Sequence, residues 1–163
     1  MGNVSKDFRV TEMRDKFSAA LKEAARAKDQ RRLSTVRLIL AAIKDRDIAV
    51  RSEGRSDGVD DSEILQILQK MVKQRTESAK TYEDAGRIEL AEAEREEIAI
   101  IEEFLPRQMS DDEINAAVKD TVKDIGAENL KDMGRTMAAL KDKYAGAMDF
   151  KKASAQVKAT LGG

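Results

Sequence analysis

Phe104-Leu105-Pro106-Arg107-Gln108-Met109-Ser110-Asp111-Asp112-Glu113-Ile114 is the stretch that decides how this chain is organised. Proline has no amide to give a helix interior, and it pushes the residue before it out of helical angles. A helix arriving from the N-terminal side must therefore stop by Leu105. Ser110 and Glu113 then have the spacing of a capping box, in which the hydroxyl accepts from the amide of residue 113 and the glutamate accepts from the amide of residue 110. A stop followed by a start divides the 163 residues into an N-terminal helical domain, 13–107, and a C-terminal three-helix subdomain, 108–163. Residues 1–12 read as an N-terminal extension.

Downstream of the boundary, Ile114, Val118, Val122 and Ile125 recur at helical spacing and stop at Gly126. Met133, Met137, Leu140 and Tyr144 mark the next helix, and Phe150, Ala153, Val157 and Leu161 the last, opened by Asp149. Short amphipathic helices joined by glycine-bearing turns pack as a small bundle. The methionines at 133, 137 and 148 read as core filler.

Upstream, Met13, Phe17, Leu21 and Ala24 form one stripe of a first helix, which breaks at Lys28-Asp29. Asp29 can cap a second helix whose buried face is Leu33, Val36, Leu40 and Ile43. Residues 52–58 form a polar, glycine-bearing loop that is expected to be mobile. Asp60 or Asp61 caps a third helix with the stripe Ile64, Leu68, Met71 or Val72, Ala79 and Tyr82, and Gly86 ends it. Leu90, Ile98, Ile101 and Leu105 give a fourth. No segment alternates with period two for long enough to make a sheet, so the expected fold is all-α.

Composition narrows the chemistry. The chain has no cysteine and no histidine, which removes disulfides, thiolate and zinc-finger chemistry, and serine–histidine triads. Charged residues make up 37% against an ordinary share of about 25%, and aromatics only 4%. The net charge of −1 is unevenly spread: residues 1–55 sum to +6, residues 56–108 to −7, and residues 109–163 to zero. Basic and acidic neighbours of this kind commonly pack side by side and cancel. No stretch approaches the roughly 18 apolar residues that span a bilayer, and a cytoplasmic protein with no membrane partner is expected.

Glu89, Glu92, Glu96 and Glu103 have roughly helical spacing, but bundle metal sites add histidine from Glu-x-x-His, which this chain lacks. They read as a solvated acidic face. The Gly54–Gly58 loop has neither GxxxxGK[ST] nor GxGxxG grammar, so no phosphate cradle is expected. The sequence therefore offers no catalytic residue, no metal ligand and no cofactor.

The most distinctive run is Lys73-Gln74-Arg75-Thr76-Glu77-Ser78, followed by Tyr82, Ala85-Gly86-Arg87, Glu89-Leu90, Glu94, Glu97 and Phe104-Leu105-Pro106. With Ala27-Lys28-Asp29, Arg32-Leu33 and Arg37 before it, and Gln108-Met109-Ser110 and Asp132-Met133-Gly134 after it, this order resembles the GatB/YqeY family from Met13 onward. The family occurs as free-standing YqeY-like proteins. It also forms the C-terminal tail of the GatB component of the glutamine-dependent aspartyl/glutamyl-tRNA amidotransferase. The resemblance implies an all-α module that helps hold tRNA, associated with carbon–nitrogen ligation using glutamine as amido-N-donor only through other domains. The chain departs from relatives at Tyr144-Ala145-Gly146-Ala147-Met148-Asp149, where a Gly-Arg-Ala-Asp-like turn is common.

The expectation is a bacterial-type, non-catalytic module that binds tRNA or another structured RNA, or a tRNA-handling complex. With few aromatics to stack on bases, phosphates and ribose hydroxyls would be its targets. The candidate contacts are Lys73, Arg75 and Arg87, with Arg32 as an outer member. Against this stands a purely structural use, in which Arg75 and Arg87 pair with fourth-helix glutamates. Rival functions are an accessory component of an amidotransferase or a translation-related protein adaptor.

Overall fold

The computed structural model describes the backbone of residues 2–162 and the side chains of residues 12–162. The elements are α1 (Gly2–Ala27), α2 (Gln30–Ser52), α3 (Asp61–Asp84), α4 (Ile88–Glu102), α5 (Asp111–Ile125), a 3-10 turn at Leu130–Asp132, α6 (Met133–Tyr144) and α7 (Phe150–Gly162). No strand occurs among the described residues, and the fold is all-α. Two compact units emerge, residues 1–105 and 106–163. The reading of residues 1–12 as an extension concerns side chains that, Glu12 apart, lie outside the described residues.

In the first unit, α1 and α2 are joined by Lys28, which takes the left-handed conformation at φ 57°, and by Asp29, whose carboxylate accepts from the Arg32 amide at 3.1 Å. α1 packs on α2 and α3, and α4 packs on α3 and α2. This places α2 and α3 diagonally across a four-helix arrangement. Phe17, Val36, Ile39, Ile64, Leu68 and Ile101 are fully buried at its centre. Phe104, just past the end of α4, lays its ring 5.0 Å from that of Phe17 at a tilt of 59°, which anchors the chain before Pro106.

Two expected stripes shift. On α2 the buried residues are Thr35, Val36, Ile39, Ile43 and Val50, while Leu33 and Leu40 are only partly covered. Because α2 touches both α1 and α4, its covered arc is wider than one stripe, and Thr35 is accommodated by donating its hydroxyl to Arg31 O at 2.8 Å. On α4 the buried residues are Ala91 and Ile101; Leu90 stays 43% exposed and Leu105 lies beyond the helix. A small side chain at Ala91 lets α4 approach its neighbours closely, which a periodicity count of large residues misses.

The loop expected to be mobile is fastened at several points. Asp47 accepts from both terminal nitrogens of Arg14, at 3.0 and 2.9 Å, and from the Val59 amide at 2.9 Å. Arg14 also donates to Val59 O at 2.9 Å. The Arg14 guanidinium holds the Asp47 carboxyl below the usual carboxylate range. Arg55 forks onto Glu63 and donates to Gly58 O. Gly58 has φ +80°, and a Cβ there would collide with the Asp47 carboxylate, so glycine is required on both counts. Asp60 and Glu63 form a capping box that opens α3.

In the second unit, Ser110 and Glu113 form the capping box that opens α5, with Ser110 Oγ 3.2 Å from the Glu113 amide. Gly126 closes α5 at φ 66°, in the left-handed region. Ile114, Val118, Leu140, Met148, Ala153 and Val157 are buried together, with Met133, Met137, Tyr144 and Phe150 packed against them. The turn at 144–149 helps hold the start of the second unit: Ala147 O accepts from the Met109 amide at 2.8 Å, and Gly146 O from the Gln108 side chain at 2.7 Å.

Candidate functional site

Lys73, Arg75 and Arg87 sit on one helical hairpin, α3 and α4, but they do not gather. Lys73 and Arg75 are two residues apart on a helix, about 200° around its axis, and so point to different sides. Arg87 stands at the hairpin turn, past Gly86 at φ 74°, with its amide donating to Tyr82 O at 2.8 Å. From Lys73 to that turn α3 rises about 18 Å.

Arg75 turns inward. Its Nε donates to Glu97 at 2.8 Å, and both side chains are largely covered, at 16% and 18% exposure. The other oxygen of Glu97 lies 3.7 Å from Arg31, which also holds Glu96 at 3.1 Å. Three helices are thus tied by one carboxylate. Arg32 pairs with Glu103. Arg31 and Arg32 of the basic early segment therefore meet carboxylates of α4 and of Glu103 just past its end, where α2 packs on α4. Arg95 pairs with Glu83, and the arginines at 14 and 55 serve the loop described above. Arg75 is used as the structural reading anticipated; Arg87 is not, being exposed with no ion pair among the described residues.

Lys73 is exposed and likewise outside every ion pair among the described residues. The helix places Lys70 and Lys80 within about 80° of arc of it, and both are exposed in the same way. Beside them Gln74, Glu77, Ser78, Thr81 and Tyr82 line a shallow cavity of about 410 Å³. Thr81 donates its hydroxyl to Glu77 O at 3.0 Å, leaving its lone pairs outward. The sequence reading names Lys73 and not Lys70 or Lys80, which stand three residues before it and seven after it on the same helix. The outer side of α3 can offer ammonium groups, hydroxyls and an amide to a ligand, with Glu77 the acidic group among them.

No group of three or more carboxylates among the described residues could hold a metal ion, and no helix among them is long and apolar enough to cross a membrane. What the two units define is a helical module whose arginines fasten helices to one another and whose α3 lysines face outward. The chain belongs to the YqeY-like protein family, whose model matches residues 14–161. It is similar to the protein named "Altered inheritance of mitochondria protein 41, mitochondrial" from Lachancea thermotolerans, at 28% identity over 86% of this chain and 74% of that protein. It is also similar to the protein of the same name from Clavispora lusitaniae, at 33% identity over 67% of this chain and 62% of that protein.

Proposed function

We propose that the chain is a non-catalytic module that binds structured RNA of the tRNA kind, with the outer face of α3 as its contact surface. The observation that supports this is the division of labour among cations. Arg14, Arg31, Arg32, Arg55, Arg75 and Arg95 are spent on carboxylates, whereas Lys70, Lys73 and Lys80, like Arg37, Lys44 and Arg51 on α2, enter no ion pair among the described residues, and the three on α3 stand beside hydroxyls and an amide, with Glu77 the acidic group among them. Ammonium groups meet phosphates, and hydroxyl and amide groups meet ribose hydroxyls, which distinguish RNA from DNA. Arg87 extends the contact at the hairpin tip, while Arg32 and Arg75 act indirectly by holding α4 in place. Any part in glutamine-dependent carbon–nitrogen ligation is then that of an accessory component delivering or steadying the RNA for a partner's active sites. For this chain we propose a cytoplasmic setting; the two curated relatives carry mitochondrial names.

Ultraviolet crosslinking in cells, with sequencing of the bound RNA and mapping of the crosslinked peptide, tests the proposal. It predicts recovery of folded tRNA attached to peptides from residues 66–88. Recovery of no RNA above background, or of unstructured RNA attached elsewhere, contradicts it.

A further inference from the structure

The outward side of α2 is put to no use by the α3 contact surface. Arg37, Lys44 and Arg51 recur at seven-residue intervals, and all three are exposed. Seven residues fall only about 20° short of two full turns, so the three cations form one row about 21 Å long. Among the described residues, none of them enters an ion pair; Arg51 lies close enough to Asp47 to help keep that carboxyl ionised. Alongside the row runs a second one, Leu38, Ala41, Asp45 and Ile48, at the i, i+3, i+7 and i+10 positions, also exposed. Leu38 is 43% exposed and Ile48 54%.

We propose that this face of α2 docks an acidic amphipathic helix of a partner protein. The partner's carboxylates, repeating every seven residues, would meet the cationic row, and its apolar side chains would cover Leu38, Ala41 and Ile48. Seven-residue repeats of charge beside apolar positions are how one helix recognises another in register, and Asp45, the one acidic group of the second row, calls for a neutral or basic partner residue opposite it.

Other occupants fit less well. A phosphate backbone gains nothing from Leu38 and Ile48, which an apolar helix face would bury. α2 and α3 touch less than the other packed helix pairs of the first unit, and each row of cations lies on its own helix's side away from the buried residues, so the two rows are separate surfaces. A second copy of the chain would have to offer α4, its most acidic helix, where Glu96 and Glu97 are already held by Arg31 and Arg75, as Glu103 just past its end is by Arg32; the carboxylates left, Glu89, Glu92, Glu94 and Glu102, do not repeat every seven residues.

The test uses the full chain and a fluorescein-labelled helical peptide of about three heptads, with glutamate at every seventh position and leucines on the adjoining row. A control peptide carries lysine in place of those glutamates. Fluorescence anisotropy should show the glutamate peptide binding at least ten-fold more tightly than the lysine peptide. The Arg37→Glu/Lys44→Glu/Arg51→Glu variant should reverse that preference, and Leu38→Ser/Ile48→Ser should weaken both peptides. Circular dichroism confirms folding. If charge reversal unfolds the chain, the Arg37→Gln/Lys44→Gln/Arg51→Gln variant should abolish the ten-fold preference instead. Equal affinity for both peptides on a folded chain would overturn the proposal. So would binding of tRNA, or of vesicles containing phosphatidylserine, that is lost in an α2 variant but kept when Lys70, Lys73 and Lys80 are alanine.

Discussion

Lys73 and Arg75 show how far two adjacent cations can differ in what they do. Arg75 is enclosed with Glu97 and, through it, linked to Arg31, so its removal strands a partly covered carboxylate. Arg75→Ala should cost about 2 kcal/mol of folding free energy, below the 3–5 of a fully buried pair because both side chains keep some solvent. Lys73→Ala should stay within about 0.5 kcal/mol, as exposed substitutions do. Urea melts of the two variants check this, and a Lys73 cost equal to that of Arg75 would remove Lys73 from any surface role. The amino-acid sequence brought both into view as one cluster. It could not separate them, because which side of α3 faces α4 depends on how the hairpin closes. That closure is marked by Ala91, a residue too small to register in a count of apolar positions.

Elements were legible where a single residue type has a single physical use. Asp29, Ser110, Asp149 and the glycines at 86 and 126 all act as caps or stops where their chemistry indicates. Ser110→Ala should destabilise the second unit by about 1 kcal/mol, the ordinary value of an N-cap, measurable as a lowered melting temperature. Glu113 of the same box is held down to about 2 from its ordinary 4.5, first by the Arg107 side chain and then by the Ser110 amide. A carboxyl depressed in the folded state stabilises it above pH 4.5, and that support fades as pH falls from about 4.5 to about 2. Carboxyl-resolved nuclear magnetic resonance titration should show Glu113 titrating near 2, and Arg107→Ala should move it back toward 4.5. A Glu113 titrating near 4.5 in the unaltered chain would refute the pairing. Less legible were the loop before α3 and the wide contact of α2. Both depend on residues far apart in the chain, such as Arg14 with Asp47 and Val59.

At the scale of the whole molecule, each unit has its own buried cluster: Phe17, Ile39, Ile64, Leu68 and Ile101 in one, Ile114, Val118, Leu140, Met148 and Val157 in the other. Residues 106–163 made alone should keep the helices α5–α7 and melt cooperatively, with modest stability for so short a chain. A non-cooperative, largely unfolded fragment by circular dichroism would show that the second cluster does not suffice. All-α architecture was legible throughout from periodicity, while the candidate interface was legible only in part. Charge totals per segment announced that the basic residues 1–55 would pack beside the acidic residues 56–108. They could not say which cations would be left over, because that is decided by pairing geometry.

The α3 lysines carry the functional account, and salt dependence measures phosphate contact directly. Binding of purified tRNA should be followed by anisotropy from about 50 to 300 mM salt, for the unaltered chain and for Lys70→Ala/Lys73→Ala/Lys80→Ala. With three phosphates engaged, log affinity against log salt should fall with a slope of about −2 to −3. The triple variant should flatten that slope by about two units while its melting temperature stays the same. Equal slopes for the two folded proteins, or no tRNA binding even at the lowest salt, would contradict the account.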